Sequence, residues 1–343
     1  MPDVISRIFF LALLGLLLAA CDRQRATTPQ HELVGQTMGT SFNIKVITGI
    51  QLDKSKLEQE VTALLTRING NLSTWLPDSA LSLLNANTST DWTGVTAELC
   101  DVIEAALNLS ERTGGAFDIT VGPLVNLWGF GPEIPEVEKI PTEASIALTR
   151  QRVGYQKLQT DCTIPAVRKS RPDVYIDLSA FAKGYAVDQL AELLDAQGIG
   201  NYLVEIGGEV RLRGQNANDE NWAIAIEKPA DFERTVQTVV HLTDQAMATS
   251  GDYRNFFEIN GQRYSHTIDS RTGRPLTHNA AAVTVITTSA ASADGLATAL
   301  LVLGPEEGFE FAERENIAAY FLLRHGSEIK ELASTAFKGM SRQ

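Results

Sequence analysis

The run from Tyr175 to Asp188, Tyr-Ile-Asp-Leu-Ser-Ala-Phe-Ala-Lys-Gly-Tyr-Ala-Val-Asp, constrains the fold more than any other stretch of the chain. Tyr175 and Ile176 have the character of a strand end, while Val187, Leu190, Ala191 and Leu194 recur at helical spacing. That change of period predicts a strand-to-helix junction over Asp177 to Ala182. The first N–H groups of a helix lack intrahelical partners and carry partial positive charge, so such a junction favours an anion. Lys183 adds a cation in the first turn, which is unfavourable unless an anion faces it, and a phosphate is the anion expected. Gly184, with no side chain, lets a bulky ligand lie close to the backbone. Taken alone, the run is also compatible with a solvated lysine beside a small helical residue.

The chain has 343 residues, enough for one large or two ordinary domains, and 44% hydrophobic with 21% charged residues is a globular composition. A formal charge of −13 and the lack of a basic stripe with interleaved aromatics argue against nucleic acid and against electrostatic binding to anionic lipid. A polyanionic ligand therefore needs a local device, such as Lys183 or a metal. Residues 1–20 read as a signal peptide: Arg7 precedes the apolar run Ile8 to Ala20, which is short for a membrane span. Leu18-Ala19-Ala20-Cys21 looks like a bacterial lipobox, in which Cys21 is lipidated and becomes the mature N-terminus. Multiple acyl chains anchor stably where one does not. Asp22 resembles the signal that retains such lipoproteins at the inner membrane, so the expected location is the bacterial inner membrane, lipid-anchored and facing the periplasm. Residues 21–32 then form the lipidated cysteine and a polar tether. Cys100 and Cys162 either pair in that oxidising compartment or stay buried as thiols.

Ser41 to Ile47 is expected as a strand, preceded by Thr37-Met38-Gly39-Thr40, where Gly39 permits close approach and Met38 offers a soft contact to a ring system. Amphipathic helices are predicted over Asp53 to Asn71 and Thr96 to Thr113. Trp75, beside a proline turn, is placed either to stack on a flat ligand or to pack. Gly115-Ala116-Phe117-Asp118 forms a shaped loop whose backbone can read a ring edge, Pro132 to Pro141 reads as an acidic surface loop, and Thr142 to Val153 as a short helix. Tyr202 to Gly214 reads as two strands interrupted at Gly207-Gly208, and Trp222 to Ile226 as another. Asn260-Gly261 between Tyr253–Ile259 and Gln262–Ile268 signals a hairpin. His266 falls where that hairpin meets a loop, suited to catalysis or to a structural hydrogen bond. Val283 to Thr288 is a strand, Ser289 and Ser292 are candidate caps, and Ala293 to Leu303 is a helix ended by Gly304. Asp294 and Thr298 share a face of that helix, hard oxygen donors of the kind Mg²⁺ takes, although a first-turn acid also suits the helix dipole. Without βαβ repetition, the expected architecture is α+β, with mixed or antiparallel sheets covered by helices on one side.

Six ordered segments together resemble the ApbE family of FAD:protein FMN transferases. They are Thr37-Met38-Gly39-Thr40, Gly115-Ala116-Phe117-Asp118, Asp177 to Asp188, Ala248-Thr249-Ser250-Gly251-Asp252-Tyr253-Arg254, Ser265-His266-Thr267-Ile268-Asp269 and Ala293-Asp294-Gly295-Leu296-Ala297-Thr298. The resemblance implies an ApbE-like flavin transferase domain over residues 33–338, with two lobes and the flavin site between them. It implies cleavage of FAD at its pyrophosphate, esterification of FMN to a Ser or Thr hydroxyl of another protein and release of AMP. By the same resemblance Met38, Trp75, Gly115, Ala116, Phe117, Asp118, Asp177, Lys183 and Ile268 line the FAD site. Ala180 through its carbonyl, Asp294 and Thr298 hold Mg²⁺, and His266 takes the proton of the attacking hydroxyl. The implied partners are FMN-bearing subunits of membrane redox complexes, of the Na⁺-pumping NADH:quinone oxidoreductase or Rnf type. The chain departs from the family pattern at Ser270, where proline is frequent, and at Trp75, where tyrosine is frequent; Gly295 inside a helix is offset by packing or metal ligation. A periplasmic FAD pyrophosphatase and a non-catalytic flavin-binding lipoprotein are the alternative readings.

Overall fold

A computed structural model describes residues 28–131, 140–229, 235–252, 256–259, 262–326 and 328–340. The signal peptide, Cys21, most of the Pro132 to Pro141 loop, Tyr253, Arg254 and the Asn260-Gly261 turn lie outside the described residues. Strands β1 (Gln30–Thr37) and β2 (Thr40–Ile47) form a hairpin turning on Met38 and Gly39, both at positive φ (49° and 72°). Two successive left-handed residues give the turn whose twist matches antiparallel strands, so Gly39 serves the chain reversal. β1 begins inside the expected tether: Gln30, His31 and Glu32 are polar, but their backbones pair with Ile47, Val46 and Lys45.

Helix α1 (Lys54–Leu72) is capped by Asp53, whose carboxylate accepts from the Lys56 N–H, and buries Leu57, Val61, Leu65, Ile68 and Leu72 as its periodicity requires. The short α2 (Ala80–Ala86) and β3 (Thr93–Gly94) lead to α3 (Ala97–Arg112), capped by Thr96. Then come α4 (Gly122–Leu127), α5 (Glu143–Arg150), β4 (Leu158–Asp161) and β5 (Ala166–Lys169). Cys100 on α3 and Cys162 after β4 are joined as a disulfide, closing the alternative left open by the sequence.

The strand expected at Tyr175 and Ile176 is instead extended chain outside any sheet. Its backbone is satisfied by a side chain: Asn85 Oδ1 accepts from the Ile176 N–H and Asn85 Nδ2 donates to the Ile176 carbonyl. Asp177 N–H adds a bond to Ile119 O at 2.7 Å, and α6 (Ala182–Ala196) follows. Strands β6 (Tyr202–Ile206) and β7 (Glu209–Arg213) turn on Gly207-Gly208, and β8 (Trp222–Glu227) and β9 (Val236–Leu242) form a separate ribbon. After β10 (Ala246–Gly251), β11 (Phe256–Ile259) pairs with β12 (Gln262–Ser265), and β13 (Ile268–Asp269) with β14 (Arg274–Pro275). The chain closes with β15 (Ala280–Thr287), α7 (Ala290–Arg314), β16 (Ala318–His325), β17 (Glu328–Ala333) and α8 (Thr335–Met340).

The main sheet runs β1-β2-β6-β7-β10-β15-β16-β17 with every neighbouring pair antiparallel. One face carries the principal core under α1, α3, α6 and α7. The other is closed by the β8–β9 ribbon and α8, where Phe337 stacks on Tyr320 with ring centroids 4.9 Å apart. A satellite core of Leu124, Trp128, Ile146, Val153, Tyr264 and Ile268 builds a smaller lobe from α4, α5 and the β11 to β14 hairpins. The architecture is α+β, as the sequence predicts. The helix expected over Ala293 to Leu303 is longer: Ser289 is its cap, accepting from the Ser292 N–H, and it resumes beyond a kink at Gly304 (φ 79°), which Pro305 follows.

Candidate active site

The first turn of α6 meets the N-terminal half of α7 at backbone distance. A Cβ built on Gly184 would lie 2.3 Å from Ala290 O, so the space that the sequence leaves for a ligand is filled by a helix terminus. Close approach brings Asp294 to the open end of α6: its Oδ2 accepts from the Gly184 N–H at 3.2 Å, satisfying one of the first-turn donors. Lys183 Nζ lies 3.2 Å from Glu209 Oε1 and 3.6 Å from Asp294 Oδ2. The anion predicted opposite Lys183 is thus a pair of the protein's own carboxylates. Burial pulls the Lys183 ammonium down, but Asp294 and Glu209 outweigh it and hold it above lysine's usual range. Burial raises the Glu209 carboxyl above the usual range, Asp294 adds to that, and the Lys183 ammonium pulls against it.

Glu209 is 4% exposed and its Oε2 has no hydrogen-bond partner among the described residues. Sequence reasoning passed over it. The available signal was an acid placed directly after a Gly-Gly turn, at the start of a strand whose next residue, Val210, is apolar.

These groups open onto a cleft of 410 Å³ between the main body and the smaller lobe, within the range of small-molecule sites. The body contributes Asp177, Ala180 and Lys183 from the α6 junction and Asp294 and Thr298 from α7. The loop after α3 contributes Ala116, Phe117 and Asp118, and the smaller lobe His266 and Ile268. Trp75 stands at the rim, 68% exposed.

Two predicted contacts do not line the cleft. Met38 packs against the principal core from the β1–β2 turn. Gly115 sits one residue behind the wall, at φ 82°, with its carbonyl accepting from Ser270 Oγ at 2.6 Å. Asp118 lines the cleft, yet its oxygens are committed to the loop: Oδ1 accepts from the Thr120 N–H and hydroxyl, and Oδ2 from the Tyr155 N–H. Burial raises its carboxyl above the usual range against those hydrogen bonds. The Asp177 carboxylate similarly accepts from the Ser179 N–H. His266 sits at the end of β12 with its ring edge-on to Phe130, centroids 6.3 Å apart.

The oxygen donors suit a hard cation. Asp294, 3% exposed, and Thr298 both face the cleft from one side of α7, and Thr298 Oγ1 lies 2.8 Å from Ser250 Oγ. Among the described residues no group of three His, Cys, Asp or Glu is arranged to hold a metal. A single carboxylate with hydroxyl and carbonyl donors is instead the set that Mg²⁺ accepts when substrate phosphates complete its shell. The buried, unpartnered Glu209 oxygen beside this set is consistent with positive charge brought in by a ligand.

The profile of the ApbE family matches residues 38–321. The FAD:protein FMN transferase of Vibrio cholerae is 45% identical over 325 residues, covering 94% of this chain and 95% of the relative. That of Haemophilus influenzae is 42% identical, covering 99% of each. Among solved structures, the flavin transferase ApbE from Vibrio cholerae superposes with a TM-score of 0.84 at 44% identity, covering 91% of this chain and 99% of its own. The apo flavinyl transferase ApbE of Pseudomonas stutzeri gives 0.84 at 38% identity, covering 92% and 98%.

Proposed function

The chain belongs to the ApbE family and is an FAD:protein FMN transferase, and we propose that the reaction runs in the cleft between its lobes with Mg²⁺ as cofactor. The observation that carries this reading is the convergence of Lys183, Asp294, Thr298 and His266, from three separate segments, on one cleft. FAD lies with its pyrophosphate toward the α6 terminus and Lys183, and its ring system between Phe117, Ile268 and the exposed face of Trp75. A Ser or Thr hydroxyl of the acceptor protein attacks the phosphorus on the FMN side. An O–P bond forms, the bridging P–O bond breaks, and AMP departs with the bridging oxygen.

Phosphoryl transfer depends on positioning and charge stabilisation more than on covalent help. Asp294, Thr298 and the Ala180 carbonyl would hold Mg²⁺, which when bound neutralises the phosphoryl oxygens. Lys183 adds a second positive charge and the first-turn N–H groups of α6 add dipole. His266 accepts the proton of the attacking hydroxyl.

We place the protein at the bacterial inner membrane, anchored through lipid on Cys21 and facing the periplasm. The leader and lipobox support this location, and so does the disulfide, since such bonds persist in oxidising compartments. The acceptors are FMN-bearing subunits of membrane redox complexes, of the Na⁺-pumping NADH:quinone oxidoreductase or Rnf type.

The test mixes the chain from Asp22 onward with FAD, Mg²⁺ and a Thr-bearing acceptor subunit, and reads the mass of the acceptor. A gain equal to FMN less one water that disappears with EDTA and in Asp294→Ala supports the assignment. AMP and FMN released with an unmodified acceptor would make water the true nucleophile. Transfer at the wild-type rate by His266→Ala, with FAD bound as before, would remove the histidine from the chemistry.

A further inference from the structure

Glu209 is a buried ionisable residue of the cleft to which the reaction above assigns no work, and unlike Asp118, whose oxygens are taken by its own loop, it keeps one oxygen unpartnered among the described residues. It begins β7 directly after the Gly207-Gly208 turn, faces the cleft at 4% exposure, and turns Oε1 toward Lys183 while Oε2 stays unpartnered among the described residues. An unpaired oxygen held in that setting is unfavourable, so a local compensation is required. The ion pair with Lys183 is the compensation the geometry offers. Lys183 is shared, 3.2 Å from Glu209 and 3.6 Å from Asp294, and so lies nearer the residue that is not a proposed cation ligand.

Sharing matters because the ammonium and a divalent cation compete for Asp294. Two like charges a few ångströms apart in a partly buried cleft repel strongly, and a divalent ion doubles the charge on one side. A cation can settle on Asp294 only if Lys183 has somewhere else to go inside the cleft. We propose that Glu209 is a positioning residue that holds the Lys183 ammonium off Asp294, leaving that carboxylate free for the divalent cation and keeping the ammonium within reach of the pyrophosphate. The inference rests on the Mg²⁺ reading given above and assigns the lysine two partners, of which the cation displaces one. Without Glu209, Asp294 is the one remaining carboxylate at Lys183, and the lysine becomes an internal competitor of the metal.

The experiment is a double-mutant cycle on metal affinity rather than on turnover. Mn²⁺ is titrated without FAD into wild type, Glu209→Gln, Lys183→Met, the Lys183→Met/Glu209→Gln double variant and Asp294→Asn, with free Mn²⁺ read by its electron paramagnetic resonance signal. Thermal unfolding of each variant reports that it is folded. Glu209→Gln is expected to weaken Mn²⁺ binding on the order of tenfold, as loss of a group that orients metal-site residues commonly does. In the Lys183→Met background the same change is expected to weaken it less than about threefold, because the competitor is gone. Saturating Mn²⁺ should restore most of kcat to Glu209→Gln, leaving the defect in the metal concentration needed.

Wild-type affinity in Glu209→Gln would overturn the proposal. An equal loss in both backgrounds would also overturn it, by making Glu209 act on the cation directly. Binding that is absent in wild type, or indifferent to Asp294→Asn, would instead remove the cation reading beneath it. Should Glu209→Gln not fold, Glu209→Asp carries the same test: it keeps the charge, shortens the reach by one methylene and is expected to give an intermediate affinity.

Discussion

Asp188 on α6 closes the N-terminus of α7 from outside that helix: its Oδ1 accepts from the Ala290 N–H at 2.9 Å. Its Oδ2 takes the Ala291 N–H at 3.0 Å and the Ser289 hydroxyl at 2.8 Å, while Arg211 donates to Oδ1 at 2.8 Å. One buried carboxylate thus sets where α7 begins, and α7 carries Asp294 and Thr298 into the cleft. Asp188→Ala leaves two buried N–H groups and an arginine without their acceptor. A loss of about 3 kcal/mol is expected in urea unfolding, together with loss of FMN transfer. An unchanged midpoint would show that Ser289 and water suffice as the cap.

Gly184→Ala tests the contact between the two helices. The added methyl would sit 2.3 Å from Ala290 O and 2.7 Å from Ala291 Cα, and backbone atoms in a capped helix turn have nowhere to retreat. Despite alanine's better helix propensity, worth about 1 kcal/mol, the expected outcome is net destabilisation of about 1–3 kcal/mol from overpacking. The Gly184 N–H bond to Asp294 should lengthen with it, so metal affinity is expected to fall in parallel. A more stable Gly184→Ala protein would mean that the helices separate without cost.

These two sites mark what was legible in the sequence. The periodicity of α1, α3 and α6, the Gly-Gly and Asn-Gly hairpins and the Asp294–Thr298 spacing are local signals, and each names its own element. Tyr175 and Ile176 look like a strand because their composition is right, but the side chain of Asn85, distant in sequence, takes their hydrogen bonds. β10 has no strand signature of its own, because its alanines, Ala246 and Ala248, give no alternation. Gly184 reads in sequence as room for a ligand, whereas what comes close to it in the fold is another helix. Glu209 carries only the weak local signal of an acid after a Gly-Gly turn, and its meaning depends on Lys183, which the fold brings to it. The Gly295 question resolves the same way: its missing side chain admits Leu109, whose Cδ2 lies 2.3 Å from an added Cβ, so packing accounts for the glycine.

Ser270 makes a side-chain bond that a proline at this position could not make. Its hydroxyl donates to Gly115 O at 2.6 Å, linking the loop that carries Ala116 to Asp118 with the turn that follows His266 and Ile268. Ser270→Ala is expected to cost about 1 kcal/mol of stability and to raise KM for FAD several-fold while leaving kcat at saturating FAD nearly unchanged. A drop in kcat with KM unaltered would assign the hydroxyl to the transition state instead.

The Cys100–Cys162 disulfide spans 62 residues of sequence, and that closed segment includes Ala116, Phe117, Asp118 and Phe130, all on the cleft wall. Cross-linking a loop of that length removes denatured-state entropy worth about 4 kcal/mol in the chain-entropy treatment. Chain lacking residues 1–20, purified under reducing conditions, should therefore unfold at a lower temperature than the same protein after oxidation, and Cys100→Ala/Cys162→Ala should match the reduced form. The effect should extend to the ligand, because looser loop ends lower the fraction of chains with a formed flavin wall and weaken FAD binding. Equal melting of oxidised and reduced protein would show that packing of Cys100 against the β4–β5 hairpin already fixes the loop.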